Sequence, residues 1–478
     1  MNVTATRPAW ILSAAIVCVL LGVGVGLGRG AEALAAVAGL IVLVAASRTQ
    51  WISIGVFMAV TSLFGNVSVV GLGGLPDVTV TRLLTLWLVF LSVTRWGSEG
   101  ATRDEGKKAL IARLLVVICA LYALGFLAAM KNTSFTTGLQ LYLDQIVVPF
   151  ALLFVAARAD VDQQTVKRVL LVTIALGVVW SGIGIYEFVA GRSLFAPGGV
   201  LLWARESYSR VGGSFINPAA LGTAIGISTV VVMGSRLVGG MRSYLRVAVV
   251  ALCVIGLAVT LTRASWLAAA IGVLVVGLFM GMRGVVAWAG AGIAASGVGY
   301  VMLQFLGESA LIQRLTGEGP VFNRIIVYVA SLKLIADHFV LGVGLGMFAP
   351  AILPYMGPVG EVGASYGIGV FAAHNSILYA AAEIGVPGTL LLVLAWIVVT
   401  QRLLAGRRVS GRRTASVVGP AVVVIYVINA MFIDMWLTQN LNPLVYLLVG
   451  VMCAVSTDVA LGDSPHDSSV PRAIVKGE

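Results

Sequence analysis

LRVAVVALCVIGLAVTLTRASWLAAAIGVLVVGLFM, residues 245–280, is an almost unbroken apolar run interrupted near its middle by Arg263. A hydrocarbon core about 30 Å thick needs about 20 apolar residues of helix. The stretch therefore reads as two short spans joined at an arginine, with almost no loop between them. A cation at that point costs about 2.5 to 3.5 kcal/mol if it sits deep in hydrocarbon, so Arg263 either snorkels to the interface or lines a wet cavity.

Runs of the same kind recur outward in both directions. Fourteen candidate spans begin near Ala9, Glu32, Trp51, Val78, Leu110, Gly138, Arg168, Pro218, Leu245, Ala264, Gly284, Asn375, Ser416 and Leu441. The 478 residues are 59% hydrophobic and only 11% charged, with a mean hydropathy of +1.02, whereas soluble domains carry about 25% charged residues. The expected fold is all-α, a polytopic transmembrane bundle of about 12–14 spans, and a soluble protein is excluded. The first run, Ala9 to Leu27, is longer than a secretory h-region and reads as an uncleaved span. Cys18, Cys119, Cys253 and Cys453 all lie in apolar runs without metal-ligand spacing, so neither a disulfide framework nor a zinc site is expected. GVGVGLGRG at 22–30 has the glycine spacing of a dinucleotide loop but no strand before it; its Gly22/Gly26 and Gly24/Gly28 pairs suit close helix packing instead.

The formal charge of +11 is mostly a topology signal. With a cytoplasmic amino terminus, twenty-one of the thirty-one cations fall in alternate loops on the inner side, as the positive-inside bias requires. Both termini are then cytoplasmic, the basic loops meet anionic lipid, and nucleic acid is not expected as a partner. Of the outer cations, Arg29, Arg82, Lys131 and Arg192 read as anchors at span ends. Arg205, Arg210, Arg263, Arg314, Arg324 and Lys333 cluster in or beside two long outer segments, about 191–217 and 304–374, where soluble chemistry has room.

In the first of these segments Asn217-Pro218 has the form of a helix cap and first turn. Arg210 precedes Val211-Gly212-Gly213-Ser214, small residues whose backbone N–H groups a ligand can approach. In the second, NRIIVYVASLKLIADHF (323–339) places apolar residues at 325, 326, 329, 332 and 335, the pattern of an amphipathic helix on the outer interface. Lys333 and His338 near its end suit the helix dipole. Glycines at 342, 344 and 346 predict a tight turn. His374-Asn375 then stands at the threshold of the next span, Asn375 as a cap and His374 as a base or hydroxyl-orienting group. Glu383, further into that span, is expected to find a cation or hydroxyl partner.

The succession RVGGSFINPAALG, TLTRASWL, NRIIVY, ADHFVLGVGLGMF and HNSILYAAAEIGVPG resembles the O-antigen ligase and O-antigen polymerase superfamily of bacterial envelope enzymes, most strongly over about 205–400. The resemblance implies a GT-C-like membrane glycosyltransferase of the bacterial cytoplasmic membrane, transferring a polyprenyl-pyrophosphate-linked glycan to a glycan or lipid acceptor on the outer face. It also implies roles: Arg210 and Arg263 hold the pyrophosphate, Arg324 opens the loop helix, and His374 is the loop histidine. Thr262 stands where serine is common, and Asn323 where glycine is frequent. Arg324, Asn375, Glu383 and Arg205 are the candidates for binding substrate. No cofactor is expected. The outer segments hold no DxD-like acidic pair or His/Cys cluster, which suits a metal-independent reaction, and attack opposite the leaving group implies inversion. The domains expected are N-terminal spans at 1–190, a catalytic region at 191–400 and C-terminal spans with a tail at 401–478. A multi-span transporter or lipid-linked glycan flippase is the competing reading, although no inverted repeat is evident; an inactive membrane partner is a third.

Overall fold

The computed structural model describes residues 39, 42–65, 67–70, 74–96, 104–196, 199–201, 210–234, 242–280, 319–357, 373–405 and 413–455. The candidate spans beginning near Ala9 and Gly284, most of the one near Glu32, the glycine run at 22–30 and much of segment 304–374 lie outside them. The chain forms two compact units, Met1–Phe57 and Met58–Glu478. In the first, the Ser53 hydroxyl donates to the Ala46 carbonyl at 3.0 Å.

Between turns and short loops, the regular structure of the described residues is helical apart from one small antiparallel pair and one isolated bridge. In chain order they form α1 (Gln50–Phe64), β1 (Ser68–Val70), β2 (Val78–Thr79), α2 (Val80–Thr94), α3 (Glu105–Ala129), α4 (Phe135–Arg158, with a π-turn at Leu143–Val147) and α5 (Gln163–Ala190). There follow α6 (Pro218–Gly234), α7 (Ser243–Val259), α8 (Arg263–Met280), α9 (Gly319–Asp337), α10 (Phe348–Ile352), α11 (Ser376–Ala405), α12 (Arg413–Phe432) and α13 (Leu441–Ala454). Six of these are long and apolar enough to cross a membrane: α3, α4, α5, α8, α11 and α12 from Thr414 on. Five shorter apolar helices, α1, α2, α6, α7 and α13, account for the other expected spans among the described residues. The protein is an all-α polytopic membrane bundle.

At the centre of the second unit is α6, every residue of which is buried. It packs against α5, α7, α8 and α12. Such enclosure is open to a helix without charge and with small residues where backbones cross. Gly222 faces Ser265, and Gly226 faces Ala269, both on α8. The Asn217 side chain accepts from the backbone N–H groups of Ala219 and Ala220 at 2.9 and 3.2 Å, so the expected cap is formed.

The two ends of the unit differ in chemistry. At one, Arg402 donates to Asp104 at 2.7 Å and the fully buried Lys107 donates to the Ala159 carbonyl at 2.7 Å, tying α11 and α4 to the start of α3. A parallel bridge between Val161 and Val455 closes the same end. At the opposite end lie the starts of α6, α8, α11 and α13 and the glycine turn.

Two outer cations read as anchors turn inward instead. Arg82 is buried and makes a bidentate pair with Asp144 at 2.8 and 2.9 Å, because α2 packs against α4 and hydrocarbon leaves its fork no better partner. Lys131 donates to the Gly342 carbonyl and so supports the glycine turn. The loop helix α9 also settles differently from its apolar pattern. Ile325, Val329 and Leu332 remain exposed, while Val327, Ala330, Ser331, Leu334 and Ile335 are buried and α9 packs on α11.

Removing one partner of a buried ion pair costs about 3–5 kcal/mol. Asp144→Ala is therefore expected to lower the unfolding temperature in detergent strongly, and Arg82→Met with Asp144→Leu to recover most of the loss. A single variant as stable as the parent protein overturns this account of the pair.

Candidate functional site

The first half of the site is built on a buried carboxyl group. Glu187, fully buried near the end of α5, accepts from the Ser193 hydroxyl and the Leu194 N–H through one oxygen, and from the Gly213 N–H through the other, each at 2.9 Å. One side chain thus holds both ends of segment 191–217. Gly213 has φ +53°, a conformation that suits glycine, and opens the 3-10 turn Gly213–Phe215. The expectation that this glycine stretch leaves free N–H groups is corrected at Gly213, whose N–H goes to Glu187.

The turn fixes Val211, fully buried, and with it Arg210. The Arg210 guanidinium donates to the Thr262 hydroxyl at 2.8 Å and reaches the Thr260 carbonyl at 3.4 Å. Those residues form the break between α7 and α8, where Leu261 adopts φ +49° and Thr262 donates back to the Thr260 carbonyl at 3.1 Å. Arg263, partly exposed, is the first residue of α8. The structure therefore brings the Arg210 guanidinium to Thr262, the residue before Arg263, at the positive end of the α8 dipole.

The second half centres on His374. It has φ +48°, uncommon for a residue with a Cβ. Its Nδ1 lies 3.2 Å from Asp434 Oδ2; the imidazole is 50% exposed and the carboxylate 11%. The pairing engages Nδ1, the arrangement in which a carboxylate sets imidazole orientation and tautomer. Directly after it, the Asn375 side chain accepts from the Ile377 and Leu378 N–H groups at 2.9 and 3.1 Å, which starts α11 and fixes where His374 stands. Asn375 is a helix cap here, with its side-chain oxygen so engaged.

A series of hydrogen bonds connects the halves. Ser265 of α8 donates to the Asn429 side chain of α12 at 3.0 Å. The Ile433 N–H donates to the Asn429 carbonyl at 2.8 Å, and the Ser376 hydroxyl donates to the Ile433 carbonyl at 2.9 Å. Asp434 is the next residue.

Glu383 departs from expectation. It is fully buried, and its partners are the Gly346 N–H at 2.7 Å and the Trp436 indole N–H at 3.0 Å, neither a cation nor a hydroxyl. Backbone N–H groups of Val343 and Gly344 meet the carbonyls of Ala382 and Glu383 at 2.7 and 3.0 Å. Glu383 braces the glycine turn, in which Gly342, Gly344 and Gly346 all have positive φ as the sequence suggested; with no exposed surface, it is not placed to touch substrate.

Arg324 is partly exposed on α9 and forms no side-chain hydrogen bond or ion pair among the described residues. Near the end of α9, Tyr355 donates to Asp337 at 2.7 Å, which pushes its phenol above the ordinary range. Arg205 lies outside the described residues.

Residues 248–393 match the family model described as O-antigen ligase (Wzy_C). The match covers less than half of the chain and agrees with the resemblance of its motifs to the O-antigen ligase/polymerase superfamily. That match supports a membrane glycosyltransferase-like role in surface polysaccharide biosynthesis, and the long apolar helices are those of an integral membrane protein. No curated protein matches the chain closely enough to be compared. The O-antigen ligase match contains Arg263, Arg324, His374, Asn375 and Glu383, whereas Glu187, Arg210 and Asp434 lie outside it. Glu187 and Asp434 also escaped the sequence reading. Each is a lone carboxylate at the end of an apolar run, where its cost asks for a buried partner, but nothing in the sequence says which.

Glu187→Ala strands the buried Gly213 N–H, at about 1–3 kcal/mol, and releases the more exposed Leu194 N–H. The variant is expected to unfold at lower temperature and to expose segment 191–217 to protease. Unchanged protection would show that other contacts hold the segment.

Proposed function

We propose that the protein transfers an oligosaccharide from a polyprenyl-pyrophosphate donor to an acceptor hydroxyl, at the end of the bundle that carries Arg210, Arg263 and His374. The observation that carries this reading is the joining of two functions at one end: a pair of arginines at a helix amino terminus and a carboxylate-oriented histidine, connected through Ser265, Asn429 and Ile433. The positive-inside bias puts that end outside the cytoplasm and both termini within it.

In this mechanism Arg210 and Arg263 bind the pyrophosphate as planar forks, and the α8 dipole adds to their field. His374 Nε2 takes the proton from the acceptor hydroxyl while Asp434 stabilises the imidazolium that forms. The acceptor oxygen attacks the anomeric carbon opposite the leaving group, with inversion. The bond from that carbon to the pyrophosphate oxygen breaks, its electron pair leaves with the lipid pyrophosphate, and the arginines stabilise the charge that develops. Arg324 and, from outside the described residues, Arg205 are proposed as further anion contacts.

General-base help contributes typically about 10²- to 10⁴-fold. With a polyprenyl-pyrophosphate oligosaccharide and purified protein, His374→Ala is expected to lose that factor while inserting and folding normally. Asp434→Asn should lose activity by a smaller factor, and Arg263→Lys should recover only part of what Arg263→Ala loses, since one point charge replaces a fork. Near-parental turnover by His374→Ala overturns the role of the histidine, and equal turnover by Arg263→Lys makes that arginine an anchor only.

A further inference from the structure

Among the described residues the Asp434 carboxylate has one polar partner. Its Oδ2 lies against His374 Nδ1, and its Oδ1 is buried without a hydrogen bond. The histidine is as sparsely anchored: apart from that contact, the Tyr328 hydroxyl of α9 reaches its carbonyl at 3.5 Å. Neither side chain can fix the other, so the geometry of the pair has to come from the backbone that carries them.

That backbone is bent around Asp434. With φ −80° and ψ 66°, Asp434 is the middle residue of an inverse γ-turn, closed by the Met435 N–H on the Ile433 carbonyl at 2.9 Å. A single bond of this kind holds little by itself. The Ser376 hydroxyl supplies the rest: it donates to the same Ile433 carbonyl at 2.9 Å and accepts the Trp436 N–H at 3.2 Å, so one oxygen bonds the chain on both sides of the aspartate. A hydroxyl gives and takes from one atom, whereas a carboxylate only accepts and an ammonium only donates.

Ser376 is the first residue of α11 and stands two after His374. Serine at a helix start ordinarily serves as a cap. Here Asn375 caps α11 through the Ile377 and Leu378 N–H groups, which leaves the serine hydroxyl for the connection between α12 and α13. Glu383 holds the far side of the same turn by accepting the Trp436 indole N–H at 3.0 Å, but that residue is two past the aspartate and its indole leaves the Ile433 carbonyl untouched. We infer that Ser376 is the positioning residue of the His374–Asp434 pair: it holds the aspartate turn at a fixed place relative to the histidine and thereby keeps the imidazole proton on Nδ1. It acts through Asp434 and touches no substrate. Its effect on turnover rests on the reading of His374 as the base; its effect on the imidazole does not.

The experiment uses the full chain in nanodiscs with two readouts. In the first, the protein is isotopically labelled at the ring nitrogens of its three histidines, and nitrogen chemical shifts report which ring atom of neutral His374 carries the proton, its signal being the one lost in His374→Ala. The parental protein should show the Nδ1–H form. Ser376→Ala should shift the signal toward the Nε2–H form, as Asp434→Ala does. This readout needs no turnover. In the second, the transfer assay, Ser376→Ala should lower kcat at least about 10-fold, a share of the general-base contribution, with the donor KM within about 2-fold of parental. Added to Asp434→Ala it should cost less than about 2-fold more, because a residue that acts through another then has nothing left to position. Ser376→Thr keeps the hydroxyl, and the apolar groove between α11 and α12 that Ser376 borders gives the added methyl a place to lie; it should keep the parental proton position and turnover. Should Ser376→Ala fail to insert, Ser376→Cys, a weak donor of similar size, is read in the same way. An unchanged proton position in Ser376→Ala, losses that multiply in the double variant, or a Ser376→Thr variant as impaired as Ser376→Ala each overturns the inference. A shifted proton without loss of turnover supports the positioning and tells against His374 as the base.

Discussion

The break in α11 at Gly385 governs how the described parts of the second unit meet. Gly385 has φ +76° and ψ 170°, and Pro387 two residues later has no N–H to offer. A broken helix in hydrocarbon strands backbone groups that water cannot reach, so the protein itself must take them up. The turn after α9 does this: the Val386 N–H donates to the Phe339 carbonyl, and the carbonyls of Ala382 and Glu383 accept from Val343 and Gly344. Glu383 extends the arrangement through Gly346 and Trp436. The glycine turn can approach this closely only because a Cβ at Gly342 would collide with the backbone of Glu383. From the other side the end of α3 and the turn after it hold the same segment through Ala128, Lys131 and Asn132. One discontinuity thus sets α9 against α11 and brings the segment that carries Asp434 to the helix that His374 precedes.

Much of this architecture was legible in the sequence, for a physical reason. Hydrocarbon imposes a length and a composition on each span, so runs such as 110–129 and 218–234 declare themselves without knowledge of their neighbours. Local signals were equally readable: Asn217 and Asn375 cap the helices they precede, and the glycines at 342, 344 and 346 form the turn their spacing suggests. Arg210, Arg263 and His374 stood out as candidates, since a charge at a span edge is costly enough to ask for a purpose.

What the sequence did not reveal was pairing across distance. Arg82 has the form of an interfacial anchor until Asp144, 62 residues later, is known to face it. Asp434 is one acid at the end of one apolar run, and its meaning comes from the loop histidine brought against it by α11 and α12. Glu383 failed differently, because its cost was foreseen but its partners were an indole and a backbone amide. Periodicity gave α9 its helical character and could not choose which apolar stripe would face α11.

The clamp at the far end bears on how such a chain comes to be assembled. Asp104 opens α3, yet the arginine that satisfies it is 298 residues further along. Arg402 also reaches the Cys453 carbonyl at 3.4 Å, so the clamp includes the end of α13. During synthesis, α3 enters the membrane with that carboxylate lacking its eventual counter-ion, and keeps it so while all the helices through α10 are made. The amino-terminal helices therefore remain a provisional assembly, locked only when the last spans arrive.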